Sequence, residues 1–121
     1  MTKTQNSKQY DLEDRTLEFA KQVRAFLRKL NRTLANIEDS KQLIRSSGSI
    51  GANYIEANEA LSKKDFVMRI KICRKEAKES RYWLKLVNID GKKELEQERK
   101  VLEAEANELT HIFGSIVTKS E

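Results

Sequence analysis

Apolar residues recur along this chain at alternating intervals of three and four, and no proline interrupts them. The first series runs through Leu12, Thr16, Phe19, Val23, Phe26 and Leu30. An α-helix completes a turn every 3.6 residues, so side chains with this spacing lie along one side of it. Three later segments repeat the pattern, and none alternates every second residue as a strand would. The sequence therefore predicts an all-α fold without a sheet.

The four periodic segments are joined by connections of only a few residues. They cover about residues 11–30, 33–61, 63–88 and 93–118. Short connections make successive helices antiparallel neighbours. We therefore predict an antiparallel up-down-up-down four-helix bundle as one domain over residues 11–121, preceded by a flexible tail over residues 1–10. A chain of 121 residues, 36% of them charged, is long enough to bury a core and has a composition that favours long helices.

Segment two carries a second apolar stripe beside its main one. This stripe consists of Ile37, Ile44, Gly48, Gly51 and Ile55. Two adjacent stripes predict burial on more than one side of the helix. Each glycine costs a helix about 1 kcal/mol, and close approach of a neighbouring helix would explain why both are present. The alternative is a break at the glycines that gives two shorter helices; the continuous helix is favoured.

Residues at the segment ends are typical of helix caps and turns. Asn31 or Thr33 is expected to cap segment two, and Ser62 to cap segment three with Asp65 as the capping-box acid. Asp90 and Gly91 then predict a turn before segment four.

Segment three has a wider apolar arc than a monomeric bundle requires. Its main stripe is Phe66, Ile70, Cys73, Ala77, Ser80, Leu84 and Val87. A second stripe, roughly 100–150° away on a helical wheel, is Met68, Ile72, Trp83 and Leu86. We predict that this second stripe is a subunit interface of a homo-oligomer. The alternative is that Trp83 caps the core of a single bundle.

The basic residues are concentrated in the same segment. Residues 62–88 carry nine basic and three acidic groups, whereas residues 89–121 carry five and eight. One face holds Lys64, Lys71, Arg74, Lys78, Arg81 and Lys85. Because like charges in a row repel one another, an anionic partner would be stabilising, and this face is predicted to bind nucleic acid, RNA or DNA. The alternative is a solvated face balanced by acids of segment four or of another subunit.

No aromatic ladder or known base-reading motif accompanies the basic face. Any binding is therefore expected to be electrostatic and weakly sequence-specific.

The residues that usually carry catalysis are scarce. His111 is the only histidine, and Cys73, the only cysteine, falls on the main apolar stripe of segment three. Carboxylates on facing helices can hold two metal ions, but that chemistry uses Glu-x-x-His motifs, which segments two and three lack. We predict no catalytic residues, metal or cofactor, and therefore not an enzyme. A structural polar network is expected instead, made of Arg45, Asn53, Glu56 and Glu79.

The remaining features bear on location. No apolar run is long enough to span a membrane, and residues 1–9 are polar and unlike a signal peptide. A cytoplasmic protein without a membrane partner is expected.

Two runs of residues carry a resemblance to a known family. They are residues 42–57, QLIRSSGSIGANYIEA, and the residues from Ser62 through Trp83 to Leu84, including SKKDF, ICRKEAKES and YWL. The chain resembles, over about residues 12–118, the bacterial four-helix bundle proteins encoded in intervening sequences of 23S ribosomal RNA genes, also labelled S23 ribosomal proteins.

This resemblance implies a four-helix subunit and a homopentamer around a central channel. A structurally similar protein is the accessory variability determinant of diversity-generating retroelements, which binds nucleic acid and works with a reverse transcriptase. The resemblance therefore implies RNA or DNA, or a partner protein such as a reverse transcriptase, as partners. The family provides no catalytic residues to transfer. A protein-interaction adaptor, or a structural protein of a mobile or intervening genetic element, stays as the alternative function.

Overall fold

A computed structural model describes residues 11–121, and over these residues it contains four α-helices and no strand. Helix α1 spans Leu12–Leu27, α2 spans Leu34–Asn58, α3 spans Lys63–Leu86 and α4 spans Lys93–Ser120. For these residues the prediction of an all-α fold with four helices is confirmed. The tail predicted over residues 1–10 lies outside the described residues.

Each helix packs against the next one along the chain, and α1 also packs against α4, which closes the bundle. The neighbours run antiparallel. Arg15 near the start of α1 bonds to Glu105 of α4, whereas Lys29, just beyond the end of α1, bonds to Glu98, which is closer to the start of α4. The predicted antiparallel bundle is therefore confirmed. Helix α3 lies between α2 and α4, and its remaining side faces solvent.

The inner stripes of all four helices form one apolar core. Its largest fully buried side chains are Phe19, Phe26, Phe113, Leu43, Ile50, Ile70, Leu84, Leu102 and Leu109. Burying each such side chain contributes roughly 1.5–3 kcal/mol relative to leaving it in water. Ring contacts add to this, because Tyr54 packs against Phe113 with 5.8 Å between the ring centroids.

Helices α1, α2 and α3 end two or three residues before the bounds predicted from periodicity. Helix α1 stops at Leu27 because the hydrogen-bond pattern changes there. The amides of Lys29 and Leu30 donate to carbonyls three residues earlier instead of four. Leu30 nevertheless stays buried. Helix α2 stops at Asn58, so Leu61, the last residue of the predicted segment two, is fully exposed.

Caps and one buried amide organise the helix ends. Of the two proposed caps of α2, Thr33 is the one whose side chain caps the helix, because its hydroxyl oxygen accepts from the backbone amide of Asn36. Ser62 caps α3 and accepts from the amide of Asp65 at 3.0 Å. The buried Asn36 side chain donates to the carbonyls of Asn31 and Asn88, and so joins two connections at one end of the bundle.

The glycines of α2 lie in a continuous helix, as predicted. Gly51 faces Thr16 of α1 so closely that a Cβ atom there would lie 2.8 Å from Thr16 Oγ1 and 3.3 Å from Thr16 Cβ. Thr16 is fully buried, and its hydroxyl donates to the carbonyl of Leu12. The close approach proposed for a glycine is therefore found at Gly51. At Gly48 an added Cβ would meet only the tip of Arg24, at 3.6 Å.

We predict opposite outcomes for the two Gly→Ala substitutions in α2. Gly51→Ala should destabilise the protein by about 1–3 kcal/mol, because Thr16 cannot move away without disturbing the packed α1/α2 contact. Gly48→Ala is the matched control and should be neutral or stabilising by up to about 1 kcal/mol, since alanine favours the helix. Urea unfolding measures both values. Equal effects of the two substitutions would contradict the close-approach explanation.

Candidate nucleic-acid interface

The side of α3 that faces away from the core carries a row of exposed side chains at intervals of four and three. They are Lys71, Lys75, Lys78, Tyr82 and Lys85, with Lys64 seven residues before the first. Ile70, Cys73, Ala77 and Leu84 face the core. At about 100° per residue these buried residues lie on the other side of the helix. We name the six exposed residues the outer row of α3.

The outer row shares four lysines with the basic face predicted from the sequence but differs at two positions. It includes Lys75 and Tyr82, which sequence reasoning missed, in place of Arg74 and Arg81. Both rows have the same spacing, so spacing alone could not separate them. The helical wheel could have separated the two rows, because Lys75 and Tyr82 lie directly opposite the core stripe of α3.

Arg74 and Arg81 turn toward α4 instead. Arg81 Nη1 donates to Asn107 Oδ1 at 3.1 Å, and Arg81 Nε is buried and has no hydrogen-bond partner among residues 11–121. The Cδ atom of Arg74 lies 3.6 Å from the position that a Cβ at Gly114 would occupy. Arg74 remains exposed, whereas Arg81 is partly buried. Both arginines therefore border the outer row at the α3/α4 seam.

Acidic groups leave most of the outer row unneutralised. Lys71 Nζ lies 3.2 Å from Glu121 Oε2, and both side chains are about half exposed, so the pair contributes at most about 1 kcal/mol. Within residues 11–121, the other four lysines of the row have no carboxylate oxygen within 4.0 Å. Of these five lysines only Lys71 is paired within the subunit, and its partner Glu121 is the residue that follows α4.

The acids of α4 pair mainly with α1. Arg15 bonds to Glu105 at 2.7 Å and to Glu108 at 2.8 Å, and the bond to Glu105 is the main reason that the pKa of Arg15 is raised. Glu98 pairs with Lys29 at 3.0 Å. Because these carboxylates pair with cations on the side of α4 that faces α1, they do not neutralise the lysines of α3.

The four residues predicted as a subunit interface are not brought into one patch. Met68 and Leu86 are about half exposed, but lysines of the outer row lie between them along the helix. Ile72 and Trp83 are partly buried, and Trp83 packs against the core. The alternative, in which Trp83 covers the core of a single bundle, agrees with this position. Their role in association stays a prediction.

Trp83 also takes part in the polar network, whose membership differs from the predicted one. Its indole Nε1 donates to Glu79 Oε2 at 3.0 Å, and Arg45 Nη2 donates to the same oxygen. The indole bond, aided by Arg45, holds the pKa of Glu79 below its ordinary value. Arg45 Nη1 also contacts Glu76, at 3.3 Å, a buried acid that the prediction omitted.

The other two predicted members lie elsewhere. Asn53 Oδ1 accepts from Arg69 at 3.0 Å, and its amide donates to Ser49. Glu56 is exposed and makes no side-chain hydrogen bond among residues 11–121, so including it was wrong. The reason is distance: Glu56 is eleven residues beyond Arg45, about 16 Å along the helix at 1.5 Å per residue.

A groove between α1 and α2 exposes apolar residues on another side of the bundle. It has a volume of about 440 Å³, and its lining includes Leu17, Gly48, Ala52 and Ile55. Leu17 is 52% exposed and Ile55 is 49% exposed, and Ile44 follows in the neighbouring depression. These residues include much of the second stripe of segment two, which the bundle itself leaves partly open to solvent.

Cys73 and His111 occupy the positions expected of structural and surface residues. Cys73 is fully buried, and this burial raises the pKa of its thiol to about 12. The thiol is therefore protonated at neutral pH and unsuited to nucleophilic attack. His111 is exposed. Within the described part of the chain, no three side chains form a group that could hold a metal ion, and no helix could span a membrane.

These features define a small four-helix bundle protein whose third helix presents lysines to solvent. The model of the 23S rRNA-intervening sequence protein family matches residues 8–115. The chain belongs to this family.

Similarity to a solved structure agrees with the family assignment. This chain is similar to a protein with unknown function from the S23 ribosomal protein family from Bacteroides thetaiotaomicron, whose crystal structure is solved. The two sequences are 30% identical. The match covers 87% of this chain and 96% of that one, with a TM-score of 0.71. No curated protein matches the chain. Neither the family nor this neighbour is known for an enzymatic activity.

Proposed function

We propose that the outer row of α3 binds nucleic acid through the phosphate backbone. The observation that carries this proposal is the set of four exposed lysines, Lys64, Lys75, Lys78 and Lys85, that have no carboxylate within 4.0 Å among residues 11–121. Like charges along one helix face repel each other, and phosphates that neutralise them relieve this repulsion. Binding of this kind releases counterions from the nucleic acid and therefore weakens as salt rises.

The dimensions of the row suit a nucleic-acid strand. Lys71 and Lys85 are fourteen residues apart, or about 21 Å along the helix axis at 1.5 Å per residue. One strand of a duplex places a phosphate about every 3.4 Å along its axis, so the row can follow about six phosphates. Lysines that contact phosphates fix position without reading bases, which implies weak sequence specificity.

We predict that replacing Lys75, Lys78 and Lys85 together by glutamine weakens binding by about tenfold or more and lowers the slope of log K against log salt. Loss of each phosphate contact should remove roughly one unit of slope. Fluorescence anisotropy at several salt concentrations measures both quantities.

The matched control is glutamine at three exposed cations outside the row, Lys92, Lys93 and Lys100. This variant loses the same net charge but should keep most of the affinity. If both triple variants weaken binding equally, net charge and not the outer row is responsible. If the unsubstituted protein fails to bind at about 50 mM salt, where such contacts are strong, nucleic-acid binding is excluded.

The α1/α2 groove supports self-association as a second function. Its exposed side chains Leu17 and Ile55 flank a floor that includes Gly48 and Ala52, and the exposed Ile44 continues this apolar surface in the neighbouring depression. Small residues let a helix approach the backbone closely, and apolar surface of this kind marks an interaction site. The occupant that we propose is another copy of this chain. Charge complementarity supports this choice, because the groove has Glu13 and Asp14 toward one end and Arg24 toward the other.

We predict that Ile44→Asp with Ile55→Asp lowers the mass of the oligomer in multi-angle light scattering, because two charges would enter an apolar contact. Met68→Asp with Leu86→Asp, on the α3 surface predicted from the sequence, is the matched comparison and should leave the mass unchanged. The reverse result would assign association to α3. A mass near 14.1 kDa for the unsubstituted chain would exclude association, and five times that value is what the family resemblance implies.

A further inference from the structure

Tyr82 is the exposed member of the aromatic residues that the structure describes. It is 57% exposed, whereas the three described phenylalanines of the inner core are buried and Tyr54, Phe66 and Trp83 are partly buried. The core therefore does not use its ring. An exposed aromatic ring in the middle of a row of lysines is an arrangement that the fold alone does not require.

One aromatic contact limits the motion of the Tyr82 ring. The ring meets Trp83 edge to face, with 5.0 Å between ring centroids and 76° between the planes. Trp83 is in turn fixed by its hydrogen bond to Glu79, which also accepts from Arg45. A ring held in this way loses little conformational entropy when a flat group stacks on it.

Cations lie one helical turn away on either side of Tyr82. Lys78 is four residues before it and Lys85 three residues after it, and neither has a carboxylate within 4.0 Å in residues 11–121. Proteins that bind single strands combine such cations, which contact the backbone, with aromatic rings on which bases stack. A duplex keeps its bases stacked on each other and offers none to such a ring.

We propose that Tyr82 is a stacking platform for an unpaired base, so that the outer row prefers single-stranded RNA or DNA to a duplex. This inference rests on the proposed nucleic-acid binding and adds the class of strand. It also predicts little dependence on base identity, since every base has a flat face to stack.

The test uses fluorescence anisotropy with single-stranded RNA, single-stranded DNA and a DNA duplex, each of about 12 nucleotides or base pairs, within the usual site size. Tyr82→Ala should weaken single-strand binding at least about fivefold and leave duplex binding within about twofold. Tyr82→Phe should retain single-strand affinity because it keeps the ring. Leu86→Ala, which shortens a half-exposed side chain one turn away, is the control and should change neither affinity.

Trp83 gives a second readout, because it is the only tryptophan of the chain and touches Tyr82. Single strands should quench its fluorescence at saturation, and the quench should fall in Tyr82→Ala even at strand concentrations that restore saturation.

The outcomes separate the two proposals. If the variant with glutamine at Lys75, Lys78 and Lys85 binds every probe like the unsubstituted protein, the proposed function fails and the stacking inference with it. If that variant loses affinity but Tyr82→Ala weakens single-strand and duplex binding equally, the stacking inference alone is overturned. It is also overturned if Tyr82→Ala lowers the oligomer mass while single-strand affinity is unchanged, because Tyr82 then belongs to a subunit contact.

Discussion

The rotation of α3 about its own axis decides which residues meet solvent, and burial of its apolar stripe fixes that rotation. Each fully buried leucine or isoleucine of this stripe would cost about 1.5–3 kcal/mol if a rotation exposed it. Ser46 and Ser80 add a buried contact between α2 and α3, with 2.9 Å between their hydroxyl oxygens. Cys73 Sγ donates to the carbonyl of Ile50 at 3.4 Å. In the observed rotation, Lys75 and Tyr82 point away from the bundle.

Much of the fold follows from local sequence patterns. Periodicity predicted the four helices of residues 11–121, because the inner stripe of each helix must be buried. Helix ends were less well predicted, since the end of α1 at Leu27 depends on a tightening of the chain that leaves Leu30 buried. The role of Gly51 required the neighbour, Thr16, which is distant in sequence.

The candidate site was harder to predict for the same reason. Four of its lysines follow from charge and spacing, but the choice between Arg74 with Arg81 and Lys75 with Tyr82 depends on where α4 lies. Asn107 of α4 accepts a hydrogen bond from Arg81, so this arginine lies beside the outer row, at the α3/α4 seam. Likewise, Arg45 and Glu79 could be paired from sequence, whereas Glu76 joins them only because α2 and α3 cross with its carboxylate toward Arg45.

Two different surfaces therefore remain available on this bundle, and each suits a different partner. The α1/α2 groove is apolar with a small-residue floor, as suits a second copy of the chain. The outer row of α3 combines unpaired lysines with one fixed aromatic ring, as suits phosphates and an unpaired base. Because the groove and the row lie on different sides of the bundle, an occupant of the groove would not cover the row of the same copy.

Lysine footprinting tests most directly whether nucleic acid contacts the outer row of α3. The protein is acetylated briefly with and without a saturating single-stranded oligonucleotide, and modification at each lysine is measured by mass spectrometry. We predict protection at Lys75, Lys78 and Lys85 and none at the exposed Lys92, Lys93 and Lys100. Equal protection of both sets, or protection confined to lysines outside α3, would contradict binding at the outer row.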